Sequence, residues 1–144
     1  MIREHEAFLE ALARGKLLYH VTAQCANCHP NYATKQALAE MTKAAKDVDL
    51  TEFRPDLYGG VAKDSDYGVK ILPPDFLSAT MRSVETPEDL AGVIAAGVGG
   101  TAMPTWKGAL KEDDLWAMVH YVKSVADMKD TPAGRALREK LLNQ

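Results

Sequence analysis

The sequence predicts an all-α domain, and three observations lead to it. Four stretches repeat apolar residues at helical spacing. No strand–helix–strand pattern runs through them. Between the first and second stretch stands Cys25-Ala26-Asn27-Cys28-His29, whose chemistry asks for an apolar container of the kind packed helices build.

The elements follow in order. Residues 3–23 read as a first helix, with Phe8, Leu12, Gly15 and Tyr19 on one face. A glycine costs helix stability, so Gly15 on a buried face marks a close crossing with another helix; a plain interruption is the competing account. Pro30-Asn31 breaks the chain. Residues 33–46, rich in Ala and Lys, form a second helix with Leu38 and Met41 inward. Residues 47–76 lack periodicity, and Gly59-Gly60, Gly68 and a run of Asp, Ser and Lys mark loop. Thr86 suits an N-cap and Pro87 a first helical position, so a third helix runs from Pro87 to Ala96 and stops at Gly97. Its stripe is Leu90, Val93 and Ile94. Residues 112–127 make the strongest helix: acidic residues open it, and Leu115, Val119, Val122 and Ala126 line one face beside Trp116 and Met118. Pro132 to Gln144 reads as a short, polar, partly helical extension.

Two cysteines two apart, with a histidine directly after the second, form the c-type haem attachment pattern. Each thiol adds to one porphyrin vinyl group, and the adjacent imidazole lies under the iron. Three other readings of the cysteine pair compete. A redox dithiol wants a strand–helix–strand context. A zinc site needs four ligands, and the chain has only these two cysteines. A disulfide explains neither the histidine nor the downstream features. Among those features, Gly97-Val98-Gly99-Gly100-Thr101-Ala102-Met103-Pro104-Thr105-Trp106 is a glycine-rich loop carrying a thioether, a soft ligand suited to low-spin iron. Pro73-Pro74 leaves carbonyls free to accept, and an axial histidine commonly donates its other ring N–H to a carbonyl. Tyr58 and Tyr67 either hydrogen-bond a haem propionate or cap the core with the hydroxyl in water. Met41 is an iron ligand in principle, but at helical spacing a methionine reads as core, and His120 reads as a surface or satisfied helical histidine.

Size and charge bound the rest. A chain of 144 residues, 47% hydrophobic and 26% charged, is long enough for one real core. A net charge of −3 argues against a nucleic-acid binder. No apolar run approaches membrane-spanning length. Met1-Ile2-Arg3-Glu4-His5-Glu6 lacks the apolar core of a leader. Haem attachment to this motif takes place outside the cytoplasm, so the expectation is a periplasmic or otherwise extracytoplasmic protein with its signal peptide removed.

Taken together, Gly15-x-x-x-Tyr19 before CANCH, then PPDF, GTAMPTW and LWAMVHYVKS, resemble the class I c-type cytochromes in order and spacing. The resemblance covers most of residues 12–127. It implies an all-α cytochrome c fold around one haem c, held through Cys25 and Cys28, in a domain spanning residues 1–128. It implies His29 as proximal and Met103 as distal iron ligand, the Pro74 carbonyl on the His29 ring, Phe76 packed on the porphyrin and Trp106 near a propionate or the haem edge. The first helix should cross the 112–127 helix near Gly15, against Tyr121 or Trp116.

The sequence departs from that pattern in three places. Pro30 stands where the family often has glycine. An inserted helix and loop occupy about 31–72. Residues 129–144 form a C-terminal extension.

The implied function is a one-electron carrier working with redox protein partners, as a monomer or as a subunit of a complex. Six-coordinate iron leaves no catalytic position. The alternatives are the electron-transfer subunit of a larger periplasmic oxidoreductase and, behind it, a gas-binding haem protein.

Overall fold

Three helices of this chain begin at a threonine, and each threonine does the same work. The hydroxyl of Thr34 accepts from the Ala37 N–H, that of Thr86 from Asp89 and that of Thr131 from Gly134, each at 3.1 Å. Asp89 returns the favour to the Thr86 N–H at 3.0 Å, which completes a capping box. Each such cap stabilises its helix by about 1 kcal/mol. The computed structural model describes every residue except Ser83, Gly99, Gly100, Ala102 and Lys107.

The helices among the described residues are α1 (Ile2–Leu17), α2 (Lys35–Lys46), α3 (Pro87–Ala96), α4 (Glu112–Ala126) and α5 (Pro132–Leu142). The all-α expectation holds. None is long and apolar enough to cross a membrane. One correction concerns residues 47–76, which carry a small antiparallel hairpin, β1 (Lys63–Asp64) with β2 (Lys70–Ile71). Strands of two residues carry too few positions to reveal an alternation.

A second correction concerns the first helix, which is not regular to residue 23. It widens into a π-helical turn over Leu18–Thr22, closed by the Ala23 N–H on the Leu18 carbonyl at 2.8 Å. The His20 ring supplies a physical reason. Its Nδ1 lies 2.8 Å from the Lys16 carbonyl, the acceptor that a regular turn would reserve for the His20 amide. The wider turn buries Leu18, Tyr19, His20 and Val21 in succession.

The core forms where α1 crosses α4. Gly15 is the crossing point: a Cβ there would run into the Ala117 carbonyl and stand 2.7 Å from the Tyr121 Cβ. Beside it, Arg14 grips the Asp114 carboxylate with two N–H groups at 2.9 and 3.2 Å. Arg14 is half exposed, so the pair contributes at most about 1 kcal/mol. The buried face of α4 is rotated from the predicted one. Ala117, Met118, Val119, Tyr121, Val122 and Val125 are buried, whereas Leu115 and Ala126 are only partly so, because α4 packs against α1 and α3 at once. From α3, Leu90, Ala91 and Ile94 complete the core.

The extension after residue 128 is a packed helix. Leu141 is 1% exposed, and the backbone of Gly134 lies against the Met128 carbonyl. The Gln144 side chain accepts from the Lys35 N–H at 2.8 Å and donates to the Tyr58 hydroxyl.

Candidate haem attachment site

Gln24 turns the chain into the motif. It adopts a left-handed conformation (φ 58°, ψ 36°), which reverses the path between the π-helical turn and a 3-10 turn over Cys25–Asn27. The Cys25 carbonyl then accepts from the Cys28 N–H at 3.2 Å and the His29 N–H at 2.9 Å. Both sulfurs and the imidazole therefore hang from one tight turn. Cys25 and Cys28 are free thiols. The Cys25 sulfur lies 3.7 Å from that of Met118, and burial pushes its thiol up to about 12.

His29 is held on two sides by one segment. Its Nδ1 lies 3.1 Å from the Pro74 carbonyl, and the Phe76 ring stacks on it with centroids 5.0 Å apart and planes 19° from parallel. A carbonyl only accepts, so Nδ1 carries the hydrogen and Nε2 keeps a lone pair. Burial keeps the ring's proton affinity below the ordinary histidine value, although the Pro74 carbonyl works the other way. A neutral imidazole with one nitrogen committed is the form that binds a metal.

A residue that periodicity could not have singled out fastens the motif from behind. Arg54 donates through Nη2 to the carbonyls of Gly59 (2.9 Å), His29 (3.2 Å) and Ala26 (3.3 Å), and through Nη1 to that of Asp56 (2.6 Å). The Val61 N–H reaches the Cys28 carbonyl at 2.8 Å. Asn31 donates to the carbonyls of Leu57 (2.9 Å) and Ala26 (3.4 Å). Pro30 is fully buried, and its carbonyl accepts the Tyr19 hydroxyl at 2.8 Å.

His20 and Tyr32 were equally hidden. The Tyr32 N–H donates to His20 Nε2 at 3.1 Å, so His20 Nδ1 carries the hydrogen that the Lys16 carbonyl accepts. Both ring nitrogens are spent, and burial lowers the ring's pKa to about 4. His20 is structural.

Met103 and Trp106 come from the α3–α4 connection and pack, partly buried, against the core that also takes Cys25. Gly97 (φ 72°) folds this connection back over the end of α3; a Cβ there would stand 2.8 Å from the Met103 carbonyl. The Ala95 carbonyl then accepts both the Trp106 N–H (3.0 Å) and the Thr105 hydroxyl (2.5 Å). The predicted glycine loop also includes Gly99, Gly100 and Ala102, which lie outside the described residues. Of the two loop tyrosines, Tyr58 gives its hydroxyl to the Ala33 carbonyl at 3.1 Å, and Tyr67 is 85% exposed on the hairpin.

Two cysteine sulfurs and a neutral imidazole on one turn, with the Met103 thioether packed against the same core, fit the donor set of a covalently attached haem. A family model described as cytochrome c oxidase, cbb3-type, subunit III, matches residues 10–122. The chain belongs to this family of monohaem c-type cytochrome domains. The resemblance read from the motifs is thus borne out at the level of family and fold, and membership implies covalently bound haem c. Among solved structures, this cytochrome is similar to a chain of the reducing HAO-like protein complex of Kuenenia stuttgartiensis. The two are 23% identical with a TM-score of 0.56, over 80% of this chain and 43% of that one. The likeness is one of fold, and this cytochrome spans less than half of that chain's length. No curated protein matches it.

Proposed function

We propose that this cytochrome transfers single electrons between redox protein partners in an extracytoplasmic compartment. One haem c is attached through Cys25 and Cys28, since the chain has a single cysteine pair. His29 is the proximal ligand and Met103 the distal one. The observation that carries the reading is the contact between His29 Nδ1 and the Pro74 carbonyl, made by the histidine that follows the cysteine pair. That bond fixes the tautomer, turns Nε2 into the ligating atom and makes the ring a better electron donor. When bound, haem c supplies a reversible one-electron change at its iron. The chain's own part is to hold the imidazole, to exclude water with the core around Tyr19, Phe76 and Met118, and to offer a docking surface. Held by both His29 and Met103, the iron would offer no free position to a substrate, so on this reading the protein is a carrier and not an enzyme.

The test is expression in a host that attaches c-type haem. The product should keep its haem through denaturation in acidified organic solvent and titrate as a one-electron couple. Haem that extracts, or none at all, overturns the proposal.

A second reading, a fixed subunit of a larger oxidoreductase, draws on the exposed apolar side chains of Tyr67, Val69 and Leu72 around the hairpin. Purification from the native host separates the two readings. A stable heteromer supports the subunit, and salt-sensitive, transient binding supports the shuttle.

A further inference from the structure

The residue after Pro74 is anchored more heavily than a loop carboxylate needs to be. Asp75 Oδ1 accepts from the Tyr32 hydroxyl at 2.8 Å and from the Leu77 N–H at 3.1 Å, while Oδ2 pairs with Arg138 of α5. The Tyr32 hydroxyl in turn accepts from the Phe76 N–H at 2.8 Å. Asp75 and Arg138 are both largely buried, with side chains 25% and 27% exposed. Partial burial strengthens a pair that would contribute little on an open surface.

This anchor belongs to the residue that directly follows the acceptor holding His29. The Pro74 carbonyl and the Asp75 nitrogen belong to one planar peptide unit. Proline rings at 73 and 74 fix the backbone on its upstream side. Downstream, the carboxylate of Asp75 fixes it, tied to Tyr32 on one side and to α5 on the other. Arg138 lies outside the residues that the family model matches, so α5 brings to this chain a contact that the matched residues 10–122 do not contain. The helix can bear the load. Thr131 caps its start, Leu141 is buried near its end, and Gln144 bonds to Lys35 and Tyr58 beyond it.

We propose that Arg138 is a positioning residue for the axial imidazole. Through Asp75, α5 sets how firmly the Pro74 carbonyl holds the His29 Nδ1–H, and with it the reduction potential. The inference rests on the haem reading above. A firmly held Nδ1–H gives the ring more imidazolate character, favours ferric iron and lowers the potential; a loosened one raises it. Loss of a cation through its charge alone does the opposite, because removing positive charge near the site favours the ferric state. The two mechanisms differ in sign.

The experiment uses the holoprotein and three variants, R138M, R138K and Y32F. Each is measured by potentiometric titration and by NMR exchange of the His29 Nδ1–H. R138M should raise the potential and speed that exchange by about tenfold or more, as for a locally loosened contact. R138K, which can still pair with Asp75, should recover most of both effects. Y32F removes the other tether without changing charge and should shift the potential in the same direction, which keeps the test available if R138M fails to fold. A potential that falls in R138M, or one that stays put while only the melting temperature drops, overturns the inference and leaves the haem reading standing. A wild-type protein without covalent haem overturns both.

Discussion

Gly15 of α1 and Tyr121 of α4 approach so closely that a Cβ at position 15 would stand 2.7 Å from the Tyr121 Cβ, with the Ala117 carbonyl closer still. An exposed Gly→Ala change inside a helix gains about 1 kcal/mol from propensity. Here the new methyl meets backbone, which cannot rotate away. Gly15→Ala should therefore lower stability by about 2 kcal/mol, the overpacking cost exceeding the propensity gain. Urea denaturation measures it, and an unchanged midpoint would mean that the helices can part at no cost.

Arg54 makes a second prediction possible. Four backbone carbonyls share its guanidinium, and two of them belong to the attachment motif. Arg54→Met should cost about 3 kcal/mol by leaving the part-buried carbonyls of His29 and Gly59 without donors. Arg54→Lys should recover little, because a point ammonium cannot serve the fan of acceptors that a planar fork serves. Amide exchange at Cys28 and His29 should quicken in both variants; protection equal to wild type would show that Val61 and Asn31 suffice.

The His20 ring predicts an acid limb in stability. Its folded pKa of about 4 lies below the ordinary value of 6.5, so above 6.5 the ring is neutral in both states and carries no penalty. As pH falls from there, the unfolded chain takes up a proton that the folded chain refuses, and stability declines until pH passes about 4. The full effect is about 3 kcal/mol. His20→Gln should flatten this limb relative to wild type while losing stability at neutral pH. Denaturant midpoints at about pH 7 and about pH 5 measure the difference in slope. Equal slopes would reassign the acid sensitivity to the carboxylates.

Met103 is tested by its spectrum. Met103→Ala should keep covalent haem, lose the sulfur-to-iron band and low-spin character, and bind carbon monoxide at rest. A spectrum unchanged from wild type would point to Met81, which packs partly buried against the same core. A wild-type protein that binds carbon monoxide at rest would favour the gas-binding alternative. Cys28→Ser should yield mostly haem-free chain, and a well-folded haem-free product would mean that haem is not part of the core.

Features encoded by near neighbours were legible in the sequence. CANCH is one turn, and Thr86-Pro87 with Asp89 is a local signal for a helix start. Gly15 on an apolar face announced a crossing because 3.6-residue periodicity showed which face it occupied. Features encoded by distant pairs were not legible. Arg54 lies in an aperiodic stretch, where no pattern marks one residue from the next. His20 was one of four histidines until Tyr32 closed on its free nitrogen. Asp75 and Arg138 are 63 positions apart, and the polar face of α5 gives no sign of which charge turns inward. The face of α4 was misjudged by one register because a helix flanked on two sides buries more than a single stripe.

The way residues 54–61 hold the motif also bears on how small this cytochrome can be made. By length and composition, the stretch between α2 and Pro73 looks like material an engineer could trim to a short linker. The carbonyls of Ala26, Cys28 and His29 find their donors there, in Arg54 and Val61. Excision would strip one wall from the attachment turn: the carbonyls of Cys28 and His29 would be orphaned, and that of Ala26 would keep only its 3.4 Å bond from Asn31. Miniaturisation should begin at the hairpin of Lys63–Ile71, whose backbone bonds are its own.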